Sequence, residues 1–334
     1  MKRGKTKQVR IGKVKIGGTA PISIQSMAKT ETKNIRSTVK EIKRLEKSGC
    51  EIVRVAVKDL KDAVAIAQIK KRIKIPIVAD IHFNFKLAIR AIESKADAIR
   101  LNPGNIYREK EIREIIKHAK RARIPIRIGA NSGSLRDNSK GLSEEGRMVK
   151  SVLGYIKYFQ QERFRDIIIS LKSSNVLSTI AAYKKMAALC DYPLHLGITA
   201  TGIKEDGIIK SAVGIGALLS EGIGDTIRVS LTSDPVDEVY AAKTILQSLR
   251  LRSFGPEIIS CPTCGRCKAD IEGVVKELKD KLNAKRYTLN AKHPITIAVM
   301  GCEVNGPGEA KNAYIGIAAG KGSGVIFKKG KVIK

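Results

Sequence analysis

AIRLNPGNIYREKEIREIIKHAKRARIPIRIGAN, residues 98–131, holds the unit whose repetition decides the fold. Two apolar runs, AIRLNPG (98–104) and IPIRIGAN (124–131), flank an amphipathic stretch long enough for a helix. Runs of the same kind stand at PISIQSM (21–27), IVRVAV (52–57), PIVADI (76–81), DIIISLKSS (166–174), LHLGITATG (194–202) and DTIRVSLT (225–232). Amphipathic segments separate them, for example STVKEIKRLEKSG (37–49) and VDEVYAAKTILQSL (236–249). Near-continuous apolar strands alternating with helices predict a parallel sheet covered on both faces. Even spacing of eight such units favours closure into a (βα)8 TIM barrel over an open doubly wound sheet. Ahead of it, KQVRIGKVKIGG (7–18) alternates in polarity and ends in Gly-Gly, which predicts a short hairpin.

Beyond the last unit the rhythm stops. RSFGPEIISCP (252–262) reads as a linker, with Gly and Pro as breakers. A helix is expected over 269–282, a strand over 293–301, the loop CEVNGPGEA, a strand over 313–320 and a last strand over 325–334. The expected organisation is an α/β barrel, residues 1–252, followed by a small α+β domain, residues 253–334. A chain of 334 residues suits one large and one small core.

No run of about 18 apolar residues suggests a membrane span, and the basic N-terminus lacks the apolar stretch of a secretory leader. A cytoplasmic protein is expected. The net charge is +31, from 63 Lys+Arg against 32 Asp+Glu, and it is spread along the chain rather than gathered in one arm. That distribution describes a lysine-rich solvated surface better than a specific nucleic-acid site, and it suits an acidic protein partner.

The barrel strands carry polar residues where apolar ones belong: Arg54, Asp80, His82, Arg100, Asn102, Arg127, Asn131, Ser170, Lys172, Thr199, Arg228 and Ser230. Most fall in the C-terminal half of a strand or just after it, the end that carries active sites in such barrels. Arg54, Arg100, Arg127, Lys172 and Arg228 are cations on five strands. Charges near a barrel mouth are costly unless paired, and only Asp80, with Glu221 in the loop entering the last strand, offers a carboxylate nearby. The excess asks for an anionic ligand, and guanidinium forks suit phosphate oxygens. The turns NPGN (102–105), ANSGS (130–134) and TATG (199–202) add backbone donors.

Of six cysteines, Cys50 and Cys190 stand alone and read as small buried hydrophobes. Cys261, Cys264 and Cys267 lie in SCPTCGRCK, and Cys302 in MGCEVNGPGEA. A Cys-x-x-Cys turn with a distant third cysteine fits zinc or iron–sulfur ligation. Spacing alone leaves the two open, with His293 as another zinc ligand.

These motifs, together with PISIQSMAKTET, VADIHF, IRLNPGNI, IRIGANSGSL and GIGDTIRVSLT, closely resemble the 4-hydroxy-3-methylbut-2-en-1-yl diphosphate synthase family of non-mevalonate isoprenoid biosynthesis, over nearly the whole chain. The short stretch before Cys261 resembles the two-domain bacterial form. The resemblance implies a [4Fe–4S] cluster held by Cys261, Cys264, Cys302 and the carboxylate of Glu309. Cys267 is a departure, since a non-ligand such as Thr is common there in the family. It further implies reductive opening and dehydration of 2-C-methyl-D-erythritol 2,4-cyclodiphosphate, with electrons from flavodoxin or ferredoxin. By the same resemblance Glu221 handles the proton, and the enzyme is a homodimer in which the cluster of one subunit caps the barrel of the other. Substrate binding is expected at Arg54, Asp80, His82, Arg100, Asn102, Arg127, Asn131, Lys172, Arg228 and Ser230. Two rivals predict different partners: a barrel synthase of the pterin-binding type with a structural zinc tail, and a basic nucleic-acid-binding zinc protein, against which the lack of stacking aromatics argues.

Overall fold

A computed structural model describes residues 4–136, 141–267, 269–284, 295–302, 306–320 and 323–334. The chain divides into two compact units, Met1–Ile245 and Leu246–Lys334.

The first unit opens with the expected hairpin, β1 (Val9–Ile11) and β2 (Val14–Ile16). The repeat then runs β3 (Ser23–Met27), α1 (Ile35–Ser48), β4 (Ile52–Val57), α2 (Leu60–Lys70), β5 (Ile77–Ile81), α3 (Phe85–Glu93), β6 (Ala98–Leu101), α4 (Glu109–Ala122), β7 (Ile126–Asn131). After a 3-10 turn at Ser132–Ser134 it continues with α5 (Glu144–Gln161), β8 (Ile167–Lys172), α6 (Val176–Leu189), β9 (His195–Leu196), α7 (Lys204–Ser220), β10 (Thr226–Ile227) and α8 (Pro235–Ser248). The strands pair in parallel in the order β8-β7-β6-β5-β4-β3-β10-β9, and a parallel bridge between Ile169 and Leu194 joins the two ends of that row. The eight expected strands are the eight of the barrel. The last two are short.

Several helices start on a capping side chain. Asn34, Asp59, Asn84, Ser143 and Asn175 each accept a backbone N–H of the first turn, which stabilises a helix start by about 0.5–2 kcal/mol. Each cap sits in the loop after a strand, so the loops that carry the site are fixed at both ends. The opposite end of the barrel is closed by the hairpin. Val9, Ile11 and Ile16 pack against Ile52, Val78, Ala98 and Ile168, residues at the starts of their strands. Each buried Ile or Val there stabilises by roughly 1.5–3 kcal/mol. This apolar floor leaves the C-terminal end of the strands as the open one.

The second unit is built on a mixed sheet, β11 (Glu257–Ser260), β12 (Thr296–Met300), β13 (Ile315–Ala319), β14 (Gly324–Lys328) and β15 (Lys331–Val332), paired in that order. The first three strands run parallel, β14 is antiparallel to β13 and β15 is antiparallel to β14. α9 (Ile271–Ala284) and α10 (Gly306–Asn312) are its helices. Ala310 and Ala313 pack on Ala298, Met300, Ala318 and Phe327. Gly316 has no side chain because Ala310 lies directly over it.

Three readings of this region change. EIIS, taken as linker, is β11, because it pairs with β12 and completes the sheet. The second half of CEVNGPGEA is the helix α10 rather than loop. The last segment is a hairpin instead of one strand, turned at Lys329 and Gly330, both with positive φ. His293 and the start of the strand expected at 293 lie outside the described residues.

Candidate active site

Arg54 on β4, Asp80 on β5, Arg100 on β6, Arg127 on β7, Lys172 on β8 and Arg228 just after β10 project into one space inside the barrel. Alternation places them: on each strand every second residue faces inward, and the register sets Asp80 beside Arg100 and Arg100 beside Arg127. Asp80 is the hub. Its Oδ2 lies 3.4 Å from Arg54 Nε and its Oδ1 3.1 Å from Arg100 Nη1. Burial alone would raise this carboxyl, but the charges of Arg54, Arg100 and Arg127 hold it down at about 2. Arg100 also donates to the Gly129 carbonyl at 2.9 Å. A side chain at Gly129 would collide with Arg100 and Ser170, so the glycine makes room for the guanidinium.

The other cations are less well compensated. Arg127 donates through Nη1 to Gln25 Oε1 at 2.5 Å, while its Nε and Nη2 are buried with no hydrogen-bond partner among the described residues. Burial and the neighbouring Arg54 push Arg127 well below the usual arginine range. Lys172 is pushed well below the usual lysine range by burial and by Arg54, Arg228, Arg127 and Arg100 around it. Gly197 supplies the space for its ammonium.

Asn102 and Asn131 shape the rim. Asn102 Nδ2 donates to Ser134 Oγ at 2.8 Å and its Oδ1 accepts from Gly104 N at 3.0 Å, tying the loop after β6 to the loop after β7. Asn131 ends β7 opposite Lys172, and its carbonyl accepts from Ser134 Oγ at 3.2 Å. Ser230 Oγ accepts from Arg228 Nη1 at 2.8 Å. His82 follows β5, and its Nδ1 is buried with no partner among the described residues.

Glu221 does not join this group. It caps the C-terminus of α7, at the end of the barrel where β10 begins, and pairs with Lys184 at 2.5 Å with 47% of its side chain exposed. The next residue, Gly222, accepts from Gly4 N ahead of the floor hairpin. Helices of the repeat run back to the start of the next strand, so a residue between α7 and β10 lies at the closed end. The carboxylate at the open end is Glu238 on α8, 1% exposed. It accepts from Arg228 Nη2 at 3.0 Å and Nε at 3.2 Å, from Ser26 Oγ at 2.9 Å and from Leu231 N at 3.1 Å. Five cations thus share two carboxylates, Asp80 and Glu238. His195 on β9, also unremarked in the sequence, is buried inside the barrel below the cations. Its signal was present: a histidine in an apolar strand run, on the same face as Gly197 and Thr199.

In the second unit, Cys261 follows β11 and Cys302 follows β12, and the two strands are neighbours, with Cys261 N donating to Val299 O at 3.0 Å. Thr263 N points at Cys261 Sγ from 3.4 Å, and Cys267 N closes the turn on Cys264 O at 2.9 Å. Cys264 is exposed and Cys302 buried. Glu309 is exposed in the first turn of α10. Among the described residues no three such donors converge on one point. Thiols at adjacent strand ends, a backbone N–H aimed at one sulfur and a carboxylate in the first turn of α10 form a donor set whose chemistry fits an iron–sulfur cluster. Cys267 is turned elsewhere: its thiol reaches the Ala269 carbonyl at 3.3 Å and lies against the bare Gly301.

Known proteins match both units. Residues 6–243 match the family described as GcpE TIM-barrel domain and residues 257–334 the GcpE protein C-terminal domain. A protein of Thermodesulfovibrio yellowstonii named 4-hydroxy-3-methylbut-2-en-1-yl diphosphate synthase (flavodoxin) is 52% identical over 337 residues, covering 100% of this chain and 95% of that protein. One of the same name from Caldanaerobacter subterraneus subsp. tengcongensis is 54% identical over 332 residues, covering 98% and 92%. Among solved structures, the dihydropteroate synthase of Stenotrophomonas maltophilia matches with a TM-score of 0.56 at 12% identity, over 73% of this chain and 98% of its own. That of Yersinia pestis matches with 0.54 at 10%, over 73% and 98%. At such identity the likeness is one of barrel fold alone, and it does not favour a pterin-type synthase. The two family matches and the full-length relatives place the chain in the 4-hydroxy-3-methylbut-2-en-1-yl diphosphate synthase family.

Proposed function

We propose that the cation ring of the barrel binds 2-C-methyl-D-erythritol 2,4-cyclodiphosphate, and that the chain reduces it to 4-hydroxy-3-methylbut-2-enyl diphosphate and water. Counted as neutral acids, substrate plus two electrons and two protons gives product plus one water. The observation that carries this reading is the charge count at the mouth: Arg54, Arg100, Arg127, Lys172 and Arg228 against Asp80 and Glu238. A diphosphate supplies the missing negative charge and accepts from Arg127.

Glu238, with both oxygens occupied, orients Arg228 rather than exchanging protons. His82, among the described residues at the mouth, has a ring nitrogen to spare: its unpartnered Nδ1 lies beside the Asp80 hub. We assign it the proton that leaves with the hydroxyl. Asn102 and Asn131 hold the flanking loops, and Ser230 fixes Arg228 from the other side.

Cys261, Cys264, Cys302 and Glu309 are the residues to hold a [4Fe–4S] cluster. When bound, the cluster supplies electrons one at a time and Lewis acidity at iron. Flavodoxin, named in the relatives, is the donor we propose, and the net charge of +31 suits an acidic partner. We also propose a homodimer. Leu60, Phe83, Tyr107, Leu142, Leu177 and Ile203 are large, exposed and all placed between the end of a barrel strand and the first turn of the helix after it, and exposed apolar groups at one end of a fold suit an interface. A cytoplasmic location fits the absence, among the described residues, of a helix long and apolar enough to cross a membrane.

Anaerobic purification with a visible spectrum and iron and sulfide counts tests the assignment. A brown protein with about four iron and four sulfide per chain that turns over the cyclic diphosphate with reductant is expected. A colourless protein holding one zinc overturns it.

A further inference from the structure

Below the cations, one level of the barrel interior is built unlike the rest. Thr226 on β10 is in register with Ser23 on β3 and with His195 on β9. The bridge between Leu194 and Ile169 sets Ser170 of β8 next in line. Barrel interiors at this depth are filled by bulky branched residues. Here four adjacent strands present Ser, Thr, His and Ser, all buried.

Their polar atoms are not satisfied by one another. Ser23 Oγ, Thr226 Oγ1 and both ring nitrogens of His195 are buried with no hydrogen-bond partner among the described residues. Arg127, on β7 beside β8, has Nε and Nη2 in the same condition. Buried polar groups of this kind find partners in native proteins, by ordered water where no side chain reaches. Small side chains on three of the four strands leave the volume for it. Gly197, the next inward position above His195 on β9, leaves the space open toward Lys172. The charged groups facing the imidazole are Arg127, Lys172, Arg54 and Arg228, from β7, β8, β4 and the end of β10. Burial, then these cations, keep it well below the usual histidine range, so it is a neutral acceptor at physiological pH.

We propose that His195 is a positioning residue: with Ser23 and Thr226 it holds ordered water beneath the cation ring, and through that water its imidazole accepts from Arg127 and aims the guanidinium at the anionic substrate. The inference rests on the proposed diphosphate site. It gives Arg127 a partner on the side away from the ligand without adding negative charge that would compete with phosphate.

The test compares His195→Leu and His195→Gln with the wild type, using calorimetric binding of 2-C-methyl-D-erythritol 2,4-cyclodiphosphate to the anaerobic holoenzyme without reductant. Wild type that fails to bind overturns the diphosphate site itself. With wild type binding, His195→Leu is expected to raise Kd about tenfold, and Gln, which keeps an acceptor, to stay within about threefold. Turnover should show the change in KM with kcat nearly constant, and the Leu-to-wild-type ratio should stay flat from pH 6 to 8. Tm of both variants is measured alongside, so that each Kd is read on a folded protein. Equal Kd for Leu and wild type overturns the inference. So does equal loss in Leu and Gln, which would mark a requirement for the imidazole itself and not for an acceptor.

Discussion

Glu238 grips Arg228 in a two-pronged pair, Oε1 to Nη2 at 3.0 Å and Oε2 to Nε at 3.2 Å, with the carboxylate side chain fully buried. Ser26 and the backbone of Leu231 fill its remaining lone pairs. The pair fixes one wall of the site, and it differs in kind from the exposed pair of Glu221 with Lys184 at the far end.

Glu238→Gln therefore leaves Arg228 as one more uncompensated buried cation. Breaking a buried pair from one side costs about 3–5 kcal/mol, and kcat/KM is expected to fall at least about tenfold. Glu221→Gln removes a solvent-screened pair, whose contribution lies at about 0–1 kcal/mol, and turnover is expected to stay within about twofold. Thermal melts and steady-state rates with a chemical reductant check both. Full activity in the Glu238 variant with loss in the Glu221 variant would reverse the two assignments.

The two glutamates also mark where sequence reading succeeds and where it fails. The barrel was legible because a strand buried on both faces must be apolar throughout, and a cation such as Arg100 in AIRL stands out against that rule. The ring of cations followed from the rule and the strand ends. Glu238 did not, because a carboxylate on an amphipathic helix looks like its solvent face. Only the docking of α8 beside β10 turns it inward. Glu221 was assigned through resemblance, and the fold places it beyond reach. β11 was hidden by the Gly and Pro before it, although pairing with β12, far along the chain, makes it a strand. His195 stands out locally as a histidine in an apolar run, but its meaning depends on register with Thr226 and Ser23, which no local pattern reveals.

Asp80 predicts an acid limb in stability. Its folded carboxyl is held at about 2 against an ordinary 3.8. A carboxyl lowered on folding stabilises fully above its unfolded value, and the gain is lost as pH falls toward the folded one. About 2 kcal/mol is thus present above pH ~4 and disappears progressively toward pH 2. Unfolding by denaturant between pH 6 and 2.5 should show this loss in the wild type. Asp80→Asn should be less stable at pH 6 and should lack that part of the slope, because Arg54 and Arg100 have already lost their shared partner. An unchanged slope in the variant would remove Asp80 as the hub.

Gly197 offers the sharpest test of how the cations are accommodated. Its φ is not in the left-handed region, so alanine can adopt the local conformation. What it meets is the Arg228 carbonyl at 2.6 Å and Lys172 Nζ at 2.7 Å from the added methyl. The ammonium is the end of a flexible chain and can swing away, whereas the carbonyl belongs to the barrel wall and has to be pushed back as well. Gly197→Ala should therefore cost stability, near the upper end of the about 1–3 kcal/mol of overpacking, because the strand around Arg228 must give way. It should also push Lys172 out of the ring and weaken binding of the cyclic diphosphate about tenfold. Lys172→Ala should weaken binding by a similar factor, and the double variant should be no worse than either single one, since both remove the same contact. Additive losses in that cycle would show that the glycine serves the strand and not the lysine.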